Sequence, residues 1–203
     1  MIRYMGGLGQ SSDPLGPSYD PDGLPLEPGL VEVVTAASSA PGEPHAALAD
    51  HVGEIAVFAW QGPPEEPATQ TSGVGWIRAV EWMPYQRPTF VTPSFAGYVS
   101  GHSTFSRAGA EVLASITGTP YFPGGLAEST VPQGGLIHEA GPTDDVVLQW
   151  ATYYDAADQA GISRLHGGIH ISQDDVEGRR IGAEVGKDAW ALAQTYFNGT
   201  RES

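Results

Sequence analysis

The second half of the chain carries two stretches in which apolar residues recur every three or four positions, as they do on one face of a helix. The first stretch follows Ser100, a suitable N-cap, and ends at Gly118, a residue that commonly terminates helices. Its apolar face comprises Phe105, Ala108, Val112, Leu113 and Ile116. The second follows Ser172, which with Asp175 resembles a capping box, and ends at Asn198-Gly199. Its positions spaced for burial are Ile181, Val185, Ala189, Ala193, Tyr196 and Phe197.

Three further helices are predicted from the same kind of pattern. A stripe between residues 44 and 60 consists of Ala47, Val52, Ile55, Ala56 and Ala59. Trp76 to Met83 predicts a short helix that Pro84 stops. Thr143 is a candidate cap for a helix reaching Gly161, and Asp144 and Asp145 would lie in its first turn, where the helix dipole favours acidic side chains.

The segments between these helices are rich in glycine and proline. Residues 1–43 read as an irregular lead-in, and residues 120–142 read as a long loop. The remaining patterns indicate no strand pairs and no repeats. The sequence therefore predicts an all-α helical bundle over residues 44–203, with long Gly/Pro-rich loops.

Composition narrows the possible partners. The formal net charge of -15 disfavours nucleic acid and anionic membrane surfaces, and only nine residues are Lys or Arg. No segment approaches the roughly 18 apolar residues of a membrane span. Cysteine is absent, which excludes thiolate sites and disulfides. We find no signal peptide in this chain, so its localisation stays unknown, and its opening reads as a C-terminal portion of a longer protein.

A group of cationic and polar residues stands out against this acidic background. Ser100 and Gly101 open a predicted helix, where unpaired amides and the helix dipole favour an oxyanion. Arg87 and Arg164 supply planar, permanently charged side chains that match the oxygens of such an anion. His102 lies beside the same helix start and is a candidate proton donor or acceptor.

His170 and Asp174 form a second candidate pair. Gly167-Gly168 lets the chain turn between Arg164 and His170, so that both can face one point. Asp174 lies four residues beyond His170 and could accept a hydrogen bond from its Nδ1–H. Nε2 of His170 would then be left as a ligand or as a nucleophile.

These blocks resemble the shared active site of the vanadium-dependent haloperoxidases and the type 2 phosphatidic acid phosphatases. The matching residues are Arg87-Pro88, then Ser100-Gly101-His102, then Ser163-Arg164 through His170 to Asp174. The resemblance covers residues 76 to 197 and is closer to a bacterial haloperoxidase-like branch. It implies that family's helical-bundle fold and a vanadate cofactor.

The resemblance also implies a role for each residue. His170 would bind vanadium through Nε2, and Arg87, Arg164, Ser100 and the Gly101 amide would hold the vanadate oxygens. His102 would be the acid–base partner. The implied partners are hydrogen peroxide, a halide and a small organic acceptor. In the phosphatase relatives, His170 would instead attack phosphorus.

One position departs from the family pattern. The family's lysine would lie seven residues before Arg87, where this chain has Val80, and Arg78 is the candidate substitute. The chain also predicts fewer helices than the family bundle, so N-terminal helices or another copy in a homo-oligomer would have to complete it. The favoured function is a haloperoxidase. The alternatives are an acid phosphatase acting through a phosphohistidine at His170 and a non-catalytic oxyanion-binding fragment.

Overall fold

The computed structural model describes residues 26–86, 89 and 96–200, which form two compact units. The sheet unit takes the described residues up to 89 together with residues 136–140. Its elements are β1 (Val31–Val33), a 3-10 helix (Ala46–His51), β2 (Ile55–Trp60), β3 (Val74–Arg78) and a second 3-10 helix (Ala79–Glu81). The helical unit takes the other described residues. Its elements are α1 (Gly101–Thr117), a 3-10 helix (Pro123–Gly125), β4 (Ala127–Val131), β5 (Val146–Trp150), α2 (Tyr153–His166) and α3 (Ser172–Phe197).

The sheet unit overturns two of the predicted helices. β2 lies between β1 and β3 in an antiparallel sheet, with Val57 opposite Val31 on one side and Ile77 on the other. The predicted helix between residues 44 and 60 is therefore a 3-10 turn followed by a strand. Its apolar residues are consecutive because β2 is buried on both faces, so their helical spacing was a coincidence. The two faces bury Ile55, Val57 and Ala79 in one cluster and Val34, Leu48 and Ala56 in another.

The predicted helix from Trp76 to Met83 is also wrong. Trp76 and Ile77 belong to β3, and only a single 3-10 turn, Ala79–Glu81, follows it. The side chains at these positions suit a pleated, half-buried strand as well as a helix. Pairing with β2, which no local pattern reports, decides in favour of the strand.

α1 confirms the first prediction of the helical unit at both ends. The Ser100 side chain accepts a hydrogen bond from Ser103 N, and Gly118 ends the helix in the left-handed conformation at φ 72°. Ala110 of α1 packs in one cluster with Tyr153 and Ala157 of α2. The capping residues alone were sufficient to predict both ends of α1, because a cap acts within a few residues of the chain.

The helix predicted from Thr143 begins nine residues later, after a β-hairpin. β4 and β5 pair antiparallel, with Thr130 opposite Val147. The cap of α2 is Thr152, which forms a reciprocal capping box with Asp155. Asp145 instead accepts a hydrogen bond from Gln133 N across the loop, so its carboxylate serves a turn and not a helix start.

α3 is the longest helix of the described chain, and its glycines let it approach α1 closely. Gly178, Gly182 and Gly186 recur every four residues and face Ser100, Thr104 and Ala108 of α1, also four residues apart. A Cβ at Gly178 would lie 3.0 Å from the Ser100 carbonyl oxygen. The predicted end at Asn198 is confirmed, but the N-cap is Ile171 and not Ser172, so the predicted capping box is wrong.

Several side chains that were predicted to be buried are exposed. Phe105 is 81% exposed, and Leu113, Ile116, Val185 and Phe197 are also exposed. The atoms nearest the α3 glycines are mostly backbone and Cβ atoms of α1, including those of Thr104, Arg107 and Glu111. The three helices fit the predicted bundle, but the two small sheets correct the all-α assignment. Among the described residues, no helix is both long enough and apolar enough to cross a membrane.

Candidate functional site

The first turn of α1 presents two backbone amides without a helical partner. Ser100 is fully buried, and its carbonyl accepts from Thr104 N at 3.0 Å while its hydroxyl oxygen accepts from Ser103 N at 3.4 Å. Within the described residues, the amides of Gly101 and His102 have no such acceptor. The helix start therefore offers N–H groups and the positive end of the helix dipole.

His170 and Asp174 lie at the start of α3, directly beside this turn. His170 Nδ1 is 3.0 Å from Asp174 Oδ2, and both side chains are largely buried. The main-chain oxygen of Asp174 accepts from Ser100 N at 3.1 Å, which joins the start of α3 to the start of α1. With the Nδ1 proton donated to Asp174, the Nε2 lone pair of His170 remains free to bind or attack an electrophile.

Arg164 is a cation without a counterion in the described part of the chain. Its main-chain carbonyl, near the end of α2, accepts from Ile169 N at 2.9 Å and from His170 N at 3.4 Å. Its Nε is buried and has no hydrogen-bond partner. Burial lowers the pKa of this guanidinium, as expected when a charged group loses water without gaining an anion.

The pKa of His102 is affected by burial and by the charge of Arg164. Burial lowers the pKa of His102 below its ordinary value, and the charges of Arg164 and His170 lower it further. Electrostatic coupling of this kind requires the three side chains to be near one another. The helical unit therefore brings together the start of α1 with His102, the arginine Arg164, which has no partner among the described residues, and His170.

Neither of the other predicted cationic residues lies within the described helical unit. Arg87, with Pro88, lies outside the described residues. Arg78 ends β3 in the sheet unit, where its Nε donates to Glu54 at 2.7 Å and its Nη1 donates to Glu81 at 3.2 Å. Val80, at the position of the family's lysine, lies in the 3-10 turn after β3.

Sequence reasoning missed a second set of polar contacts in the helical unit, centred on the buried Ser103 and Asp175. Ser103 Oγ donates to Asp175 Oδ1 at 2.7 Å, and Arg179 Nε donates to the same oxygen at 2.9 Å. Arg179 Nη1 also lies 3.0 Å from Asp158 Oδ1 on α2. The four-residue spacing of Asp175 and Arg179 was the available signal, but its connection to Ser103 spans 72 positions and has no local signature.

The donor set suits an anion more than a metal cation. In the ranges that the structure describes, no group of three or more His, Asp or Glu side chains is arranged to hold a metal ion. What converges instead is a single imidazole, backbone N–H groups and a guanidinium. These groups could accept a tetrahedral oxyanion whose central atom is contacted by His170.

Comparisons with known proteins agree with this assignment of the fold. A sequence model of the VCPO second helical-bundle domain matches residues 43–199. An apo-type bacterial vanadium-dependent chloroperoxidase superimposes with a TM-score of 0.62 and 22% identity, over 72% of this chain and 29% of that one. The holo-type structure gives a TM-score of 0.58 and 21% identity, over 68% and 27%. The chain thus spans less than a third of the length of these structures. No curated protein sequence matches.

Proposed function

Because the chain belongs to the VCPO second helical-bundle domain family, we propose that it binds vanadate and contributes this anion site to a peroxide-dependent halide oxidation. The observation that carries the proposal is Arg164, whose buried Nε has no acceptor among the described residues, beside a histidine whose Nδ1 is bonded to Asp174. A partly buried cation whose Nε lacks a hydrogen-bond partner is unfavourable unless a ligand supplies the opposite charge.

The residues of the helical unit fit vanadate on chemical grounds. His170 would hold the vanadium atom through Nε2, with Asp174 fixing the orientation of the ring. Arg164, the Ser100 hydroxyl and the Gly101 amide would hold the oxygens. Arg87 is proposed for the same task from its sequence position alone. Arg78 is a weaker proposal, because its guanidinium already serves two carboxylates.

Vanadate, when bound, supplies a Lewis acid that activates hydrogen peroxide toward a halide. The protein's contribution is to position charges and to move one proton. His102 is suited to exchange that proton, because burial and the neighbouring cations lower its pKa and favour the neutral imidazole at neutral pH. Arg164 and the amides of α1 would stabilise the negative charge on the oxygens.

The first experiment measures vanadate binding by isothermal titration calorimetry, followed by a bromination assay with vanadate and hydrogen peroxide. We expect saturable binding at one site and, in the complete parent protein, bromination of a phenol acceptor. Binding by this chain with no bromination by the parent protein would remove the peroxidase part of the proposal. An absence of binding would remove the cofactor assignment as well.

An acid phosphatase is the second candidate, and the His170–Asp174 pair favours it equally. An imidazole whose Nδ1–H is held by a carboxylate is also a competent nucleophile toward phosphorus. Val80 adds weight to this alternative, because the family's lysine is missing at that position. Hydrolysis of a phosphomonoester without bromination, together with a trapped phosphohistidine at residue 170, would select it.

The non-catalytic alternative predicts binding alone. A fragment that only captures an oxyanion would show saturable binding of phosphate and vanadate, with no bromination and no phosphomonoester hydrolysis by the parent protein. The same titration and the two assays therefore separate all three functions.

A further inference from the structure

We propose that Asp175 is a positioning residue that fixes the first turn of α1 relative to His170 and Arg164. The inference rests on the proposed function, since the site it positions is the proposed vanadate site. Asp175 lies next to Asp174 in the first turn of α3, and both carboxylates are buried. The two adjacent carboxylates bond to different partners: Asp174 to His170, and Asp175 to Ser103 and Arg179.

Asp174 is hydrogen-bonded to His170, whereas Asp175 is hydrogen-bonded to Ser103 in the first turn of α1. The Asp175 carboxylate accepts from the hydroxyl of Ser103 at 2.7 Å, and Ser103 is completely buried. The amide of Ser103 in turn donates to the Ser100 hydroxyl oxygen. Asp175 is therefore two hydrogen bonds away from Ser100, the residue at which α1 begins.

The same carboxylate reaches α2 through Arg179. Arg179 donates to both oxygens of Asp175, at 2.9 and 2.8 Å, and its Nη2 donates to the main-chain oxygen of Asp158 at 3.2 Å. Asp158 lies on the helix that carries Arg164. One connected set of polar bonds thus joins α1, which carries His102, to α2, which carries Arg164, and to α3, which begins just after His170.

The surrounding backbone leaves room for this network at one residue. Gly161 of α2 faces both Ser103 and Asp175, and a Cβ at this position would collide with the Asp175 carboxylate. It would also lie 3.0 Å from Ser103 Oγ. The glycine therefore lets α2 approach the network closely enough for Arg179 to bridge to Asp158.

A second polar network, between α1 and α2, supplies the matched control. Tyr154 of α2 donates to Glu111 of α1 at 3.0 Å, and Arg107 donates to the other oxygen of Glu111. This network joins α1 to α2 as the first one does, but it lies at least one helical turn beyond the start of α1. Tyr154→Phe therefore removes one hydrogen bond between α1 and α2 without touching the first turn.

The experiment compares Asp175→Asn and Ser103→Ala with Tyr154→Phe in two measurements. The first, without any anion, is amide hydrogen exchange at Ser103 and Thr104 relative to Val112 in the middle of α1. The second is vanadate affinity by calorimetry. For Asp175→Asn and Ser103→Ala we expect about tenfold faster relative exchange in the first turn and about tenfold weaker binding. Tyr154→Phe should change neither by more than about twofold.

Three results decide between the possibilities. Equal losses of affinity in Tyr154→Phe and Ser103→Ala at equal loss of stability would overturn the proposal, because the network would then be merely structural. Unchanged first-turn exchange in Ser103→Ala would overturn it too, even if Asp175→Asn failed to fold. If the wild-type chain binds no vanadate, the proposed function fails, and the exchange measurement still decides whether Asp175 fixes the first turn.

Discussion

Both units contain a histidine whose Nδ1 lies 3.0 Å from a carboxylate, and each unit also carries an arginine. In the sheet unit, Glu54 accepts from His51 and also from Arg78, so the charges satisfy one another. In the helical unit, Asp174 is bonded to His170, but Arg164 has no acceptor for its buried Nε among the described residues. Identical residue types thus form a closed ion-pair cluster in one unit and leave a surplus cation in the other. That surplus is the property an anion site requires.

The largest expected effect comes from removing the carboxylate-bonded histidine of each unit in turn. His170→Ala should weaken vanadate binding at least about 100-fold, because it removes the ligand of the central atom. His51→Ala removes an equivalent hydrogen-bonded histidine from the sheet unit and should leave the affinity unchanged. Calorimetric titration of both variants measures this, and equal affinity of wild type and His170→Ala would refute the ligand assignment.

Substitution of the two arginines should change the free energy of unfolding in opposite directions. Arg164→Met should weaken vanadate binding about 30-fold through the loss of a charge-assisted contact. It should also raise the free energy of unfolding by up to about 1 kcal/mol, because an unpaired, partly buried charge is removed. Arg78→Met should weaken vanadate binding much less than Arg164→Met, because the Arg78 guanidinium already pairs with Glu54 and Glu81. It should lower the free energy of unfolding by up to about 1 kcal/mol.

Urea denaturation of the anion-free protein measures these stabilities. A loss of stability in Arg164→Met would mean that this guanidinium has an essential partner within the protein, and the contrast between the two units would disappear. With saturating phosphate, the wild type should become more stable than Arg164→Met, because the wild type gains stability from the bound anion and the variant gains less.

Asp174→Asn has a smaller expected effect on the same site. The amide can still accept from His170 Nδ1–H, but it no longer supplies a negative charge that strengthens Nε2 as a ligand. We expect about tenfold weaker vanadate binding with the helical content unchanged, measured by calorimetry and circular dichroism. Affinity within twofold of wild type would show that the carboxylate charge does not tune His170.

The smallest expected effect is a pH dependence confined to the sheet unit. Burial raises the pKa of Glu54, but the hydrogen bonds and charges of Arg78 and His51 outweigh this and lower it overall from 4.5. A depressed pKa stabilises the fold above the unfolded value and loses that contribution as the pH falls through the folded value. The stability gap between wild type and Arg78→Met should therefore shrink as the pH falls below about 4.5. A constant gap in urea denaturation would contradict the assignment.

Local chemistry made part of the fold predictable. The ends of α1 follow from Ser100 and Gly118, whose side chain and backbone freedom act within one helical turn. The predictions failed where pairing over a distance decided the structure. β2 and β5 were taken for parts of helices, because their apolar residues match a helical spacing and their partner strands lie elsewhere in the sequence.

The sequence by itself determined which residues are chemically suited to an oxyanion: His102, Arg164, His170 and the helix start at Ser100. It also determined the spacing by which Asp174 reaches His170, because four residues at a helix start bring two side chains together. Only the tertiary structure decided which of the described arginines remains unpaired. Whether an arginine is neutralised depends on carboxylates that approach from other elements, as Glu54 approaches Arg78 from 24 positions away. The connection of Asp175 to Ser103 has the same origin, because it exists only where the glycines of α3 let two helices pack closely.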